Sequence, residues 1–196
     1  PKAPAVVGIG DQSGDQLAGP ARPHSDLAER ERVGRALRDL GAVLAGDAQG
    51  ADPSVILMAA STLDDLPSFF EDLLDHPDDL LPLESAALLW CLNRPTLRDA
   101  ALVQWATDID SGTEALEAQL SFSESGASVP DAVGDVFLGQ GARPDADRLG
   151  CALPIVRHAA SRAPRGAKPG ALTAAAWLSW ALGRSSHAGA YVDQVL

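Results

Sequence analysis

From residue 25 onward, apolar residues in this chain return every three or four positions. No stretch after residue 10 alternates apolar and polar residues as a half-buried strand would. That pattern excludes a sheet as the framework and predicts helix packed on helix. Start and stop residues divide it. Ser25 or Asp26 caps a helix reaching Leu44, and Asp52 followed by Pro53 opens the next, through Val55 to Ala60. Further helices are predicted over Leu66–Leu74, Pro82–Leu92 and Thr96–Thr107. Ser111 and Glu114 read as a capping box for a helix to Phe122, and Asp131–Leu138 as a short one. Asp145 starts a helix to about Ala163, with a kink or boundary expected at Pro154, which cannot donate within the ladder. Pro169–Gly183 and Ser186–Leu196 close the chain around a turn at Gly183-Arg184-Ser185. The expected fold is all-α: an irregular bundle of eight to ten helices ending in a helical hairpin.

Residues 1–24 differ in kind. Ala5 to Ile9 reads as one short strand or an extended tail, and the Gly, Asp, Ser and Pro run up to Pro23 reads as a linker. Residues 25–196 are expected to form a single helical domain. The 196 residues are 46% hydrophobic and 21% charged, which is enough apolar content for a core of that size. The opening Pro1-Lys2-Ala3-Pro4 has neither Met nor a signal-peptide pattern, so the chain is read as a piece of a longer cytoplasmic protein. Cys91 and Cys151 stand alone, without CxxC or Cys/His spacing, as buried thiols in a reducing compartment would. No apolar run approaches the ~20 residues that span a bilayer, so no membrane contact is expected.

The formal charge is −12, which makes nucleic acid a poor partner, but the charge is unevenly spread. Residues 51–150 carry 19 acidic and 4 basic side chains, whereas residues 151–196 carry 1 and 5. The first expectation is that the two parts attract each other within the fold. The alternative is that the basic part faces an acidic partner.

The end of the chain carries the most specific motif. Ala176-Trp177-Leu178-Ser179-Trp180-Ala181-Leu182-Gly183, followed by Gly189-Ala190-Tyr191, resembles a single tetratricopeptide hairpin, with small residues allowing close approach and aromatic rings filling the seam. No second copy follows at a period near 34. Taken with Arg98-Asp99, Arg143 to Leu149 and Ala163 to Gly166, this end resembles the C-terminal half of an actinobacterial family, domain of unknown function number 4192, over residues 80–196. The preference for Arg over Lys (13 against 2) suits a GC-rich genome. The resemblance implies architecture and origin, and it assigns no catalytic residue.

Two functional classes follow. The favoured one is a non-catalytic helical interaction or scaffold module that binds a protein partner or a second copy through Trp177, Trp180, Arg184 and Tyr191, since large aromatic rings are frequent interface anchors. The other is a metal-assisted or small-molecule enzyme in the acidic cluster from Glu71 to Asp79. There Glu71 and Asp75, and Asp72 and His76, stand four apart on a helix, a workable ligand spacing. Carboxylates at a helix C-terminus oppose the macrodipole, so a basic neighbour is expected beside them, with the Arg157–Lys168 segment as the candidate. No GxSxG elbow, SxxK pair, GxGxxG or Walker sequence is present, and no cofactor is expected.

Overall fold

Aspartate sets half of the helix starts. In a computed structural model that describes residues 21–77 and 80–195, the carboxylates of Asp26, Asp52, Asp65, Asp108 and Asp145 accept hydrogen bonds from backbone N–H groups of the first turn, at 2.6 to 3.0 Å. They open α1 (Leu27–Leu44), α2 (Pro53–Asp64), α3 (Leu66–Asp75), α6 (Ile109–Ser125) and α8 (Ala146–Arg162). Proline stands in the first turn of α2 and α3 and of α4 (Pro82–Leu92), α5 (Pro95–Ala106) and α9 (Lys168–Ala181). The remaining helices are α7 (Asp131–Leu138) and α10 (Ser185–Val192), and a 3-10 turn at Arg165–Ala167 precedes α9. The described residues therefore form an all-α, ten-helix bundle without strands. The strand expected at Ala5–Ile9 lies outside them.

Several helix ends lie a few residues from the expected ones, α10 closing at Val192 and not Leu196, and two differences have a chemical cause. Asp108, not Ser111, caps α6, because its Oδ1 accepts the Ser111 N–H at 2.8 Å. Pro154 does not end α8, which runs through it from Ala146 to Arg162. Proline removes one donor, the partner of the Gly150 carbonyl, and the buried residues on both sides of Pro154 hold the remaining ladder in place. Nor is the end of the expected linker free of the bundle. Arg157 donates to the Ala21 carbonyl and the buried Ser25 hydroxyl donates to the Ser161 carbonyl at 2.8 Å, tying residues 21–25 to α8.

One apolar cluster extends from Val33 of α1 to Tyr191 of α10. Its centre is α4, where Ala86, Ala87, Leu88, Leu89, Cys91 and Leu92 are all fully buried, as a helix apolar nearly all round requires. Burial pushes the Cys91 thiol up to about 12, so it packs as a small apolar group. Against α4 and α8 lies α9, whose buried Ala171, Ala174 and Ala175 permit close approach. The tightest point is Gly170, where any Cβ would fall 2.3 Å from the Leu92 carbonyl oxygen. Asn93 locks this junction: its side-chain amide donates to the Leu89 and Ala167 carbonyls at 2.8 Å and accepts from the Gly170 N–H at 3.3 Å. Helix α9 is closed beyond Ala181 by Gly183, φ +76, in a Schellman arrangement: Gly183 N–H bonds the Trp180 carbonyl and Arg184 N–H the Ser179 carbonyl, both at 2.8 Å. That turn folds α10 back onto α9.

Candidate functional site

The hairpin distributes its four expected interface residues between core and surface. Tyr191 is 1% exposed and belongs to the core cluster, so it joins α10 to the bundle from within and offers no surface. Trp177 is half-buried, its ring 5.5 Å from that of Phe137 on α7, edge to face. Trp180 stands 6.4 Å beyond Trp177, 43% exposed, against the turn at Gly139. Next to that turn, Leu138 is 66% exposed. Arg184 is half-buried at the turn into α10. Three rings thus lead from the α7–α9 contact out to solvent. The other tryptophans do not reach the surface in this way: Trp105 is buried with its Nε1 donating to the Phe70 carbonyl at 3.1 Å, and Trp90 lies under the Arg94 guanidinium, 3.5 Å from the ring centroid.

The acidic cluster is divided. Both oxygens of Glu71 bind the Arg148 guanidinium, at 2.6 and 2.7 Å, and Oε2 also accepts from the Gln104 amide at 2.9 Å. The same guanidinium reaches the Gln104 carbonyl at 3.1 Å. These bonds from Arg148 hold the Glu71 carboxyl below the usual carboxylate range, against the opposing push of desolvation. Glu71 is therefore a structural ion-pair partner that ties α3 to α5 and α8. Its cation comes from the start of α8 and not from the Arg157–Lys168 segment. Asp72, Asp75 and His76 do share a cavity of about 520 Å³, together with Glu84 and the apolar Met58, Phe69 and Leu80. Among the described residues, however, no three His, Cys, Asp or Glu side chains gather closely enough to hold a metal ion.

A further convergence of charge is one the sequence pattern did not single out. Arg30, Gly34 and Arg38 recur at four-residue spacing along one face of α1, with Arg35 beside them. Across a cleft of about 640 Å³ from this face lie Ala163, Pro164, Arg165 and Lys168, where α8 gives way to α9. Glu31 is the one acidic residue of the lining. Arg22 continues the positive surface into an adjoining hollow shared with His24, Arg30 and Lys168. Desolvation first, and then the charges of Arg22, Arg30 and Arg165, hold the Lys168 ammonium below its usual range.

No residue of the acidic middle lines this cleft. The ion pairs between described residues are Arg98–Asp99, Arg148–Glu71 and Arg162–Glu29, and none joins residues 51–150 to residues 151–196. Among the described residues of the acidic middle, Arg162 donates to the Leu80 carbonyl, at 2.6 Å, and the Ser85 hydroxyl, at 3.3 Å. The basic end instead lies beside the arginines of α1. No family model, curated protein or solved structure matches this chain.

Proposed function

We propose that this chain is a non-catalytic helical interaction module of a larger cytoplasmic protein, and that the Trp180 face is where a protein partner docks. The observation that supports this reading is the run of rings from Phe137 through Trp177 to the half-exposed Trp180, flanked by Leu138. An indole anchored on one side by packed rings is already ordered. Covering its open side therefore gains apolar burial at little conformational cost, as in an interface hot spot. The likeness of residues 80–196 to the family numbered 4192 belongs to the same proposal, as its reading of origin.

The paired substitution Trp180→Ala with Leu138→Ala tests it, because both side chains are exposed and neither change opens the core. Light scattering across a concentration series reports self-association, and cross-linking in cell extract reports a second protein. The reading expects one contact that the wild-type chain forms and the double variant loses at an unchanged thermal midpoint. Identical behaviour of the two chains in both assays contradicts it. The cavity bearing Asp72, Asp75, His76 and Glu84 keeps a small-molecule reading in view. Titration with divalent ions while following thermal unfolding tests that reading, since a ligand of the native state raises the midpoint.

A further inference from the structure

The cleft between α1 and the start of α9 sets five cations, Arg30, Arg35, Arg38, Arg165 and Lys168, against a single carboxylate, Glu31. Like charges brought together repel, and among the described residues Glu31 is the one acid that lines the cleft. Glu29, the acid next to Arg30, is drawn away to Arg162 at 2.6 Å. Among the described residues, Arg35, Arg38, Arg165 and Lys168 have no ion-pair partner, in a chain that carries 27 acidic side chains. Arg30 donates only to a backbone carbonyl, that of Asp26, at 3.3 Å. The positive end of the α9 dipole adds to the same potential.

We propose that this cleft binds a multivalent oxyanion, the phosphate ester or diphosphate group of a small molecule. Three features of the lining select that class. A single carboxylate would leave most of the facing positive charge unmatched, whereas a phosphoryl group carries two or more charges and presents its oxygens to guanidinium forks in pairs. No aromatic side chain lines the cleft, and its apolar part is limited to Gly34, Ala163 and Pro164, so recognition rests on the charged group and not on a stacked base. The cleft is also a local exception on an acidic molecule. The formal charge of the chain is −12, so a compact ligand fits its overall field better than an extended polyanion.

Calorimetric titration of the full chain with inorganic pyrophosphate, in low salt, is the direct test. Saturable one-to-one binding is expected, weakening as salt rises toward about 0.5 M. Arg38→Glu and Arg35→Glu should each lower the affinity by about tenfold or more. Arg143→Glu makes the same charge change at an exposed site outside the cleft and should cost less than about twofold. Thermal unfolding of each variant separates a lost site from a lost fold, and Arg38→Gln supplies a neutral replacement if charge reversal disturbs α1. Trp180→Ala should leave pyrophosphate binding intact, so this inference and the proposed docking face fail independently. The proposal is overturned by an absence of binding in low salt, by an equal loss in Arg143→Glu and Arg38→Glu, which would report only a diffuse field, or by tighter binding of a hexaglutamate peptide than of pyrophosphate.

Discussion

Two arginine-bearing regions of this molecule handle the same chemistry in opposite ways. Between α3, α5 and α8, the two terminal nitrogens of Arg148 donate to both oxygens of Glu71 and to the Gln104 carbonyl. At the cleft between α1 and α9, Arg35, Arg38 and Arg165 face one another and Lys168 with no carboxylate within ion-pair distance among the described residues. The first arrangement holds three helices in register. The second is tolerated only because its guanidinium groups remain in water, where repulsion is weak. The contrast teaches that charge here is placed by position and not by sequence neighbourhood.

The two regions should respond oppositely to substitution. The largest effect is expected at Gly112 on α6, where a Cβ would fall 2.4 Å from the Cβ of Gln104, itself 1% exposed. Gly112→Ala should push the helices apart at the paired network and cost about 2–3 kcal/mol, read by urea unfolding. Arg148→Met comes next. It strands Glu71 against the Gln104 amide and should cost about 1–2 kcal/mol, less than a fully buried pair because both side chains keep some contact with water.

A third effect depends on pH. The folded-state value of Glu71 lies below its ordinary one, so its contribution is complete above the unfolded-state value and is lost as pH falls through the lowered folded-state value. Urea midpoints of the wild-type chain should therefore drop between about pH 5 and 3, and Arg148→Met should flatten part of that drop. The smallest effect has the opposite sign. Arg38→Gln relieves repulsion in the cleft and should leave the thermal midpoint unchanged or raise it by about a degree in low salt.

Helix existence was legible because the sequence marks it chemically. Asp-Pro and other Asp starts, glycine stops and three-to-four-residue apolar spacing point to all ten helices, including the central α4 from its unbroken Ala and Leu content. Caps were less so. Asp108 and Ser111 lie within one turn, and both residue types cap helices, so only the direction of the hydrogen bond decides between them. The hairpin was recognisable from its Trp, Gly and Tyr residues, but not which ring would face inward, since Tyr191 and Trp180 sit in equally apolar company. The cleft was the least visible feature. Its halves lie about 130 residues apart, and the available signal, Arg30 and Arg38 on one face of α1 with Arg35 beside them, reads as an ordinary solvated surface until Lys168 and Arg165 are placed opposite. The basic end was expected against the acidic middle because long-range charge balance is a default. Among the described residues, the ion pairs of the acidic segment, Arg98–Asp99 and Arg148–Glu71, come from within it.

The fold should draw no stability from the cleft arginines and clear stability from Arg148. Thermal unfolding in low salt of the double variant Arg35→Gln with Arg38→Gln, beside Arg148→Met, tests this most directly. The account predicts a midpoint for the double variant equal to or above that of the wild-type chain, and a clear fall for Arg148→Met. A fall in the double variant as large as that of Arg148→Met would make the cleft a structural element and contradict the account.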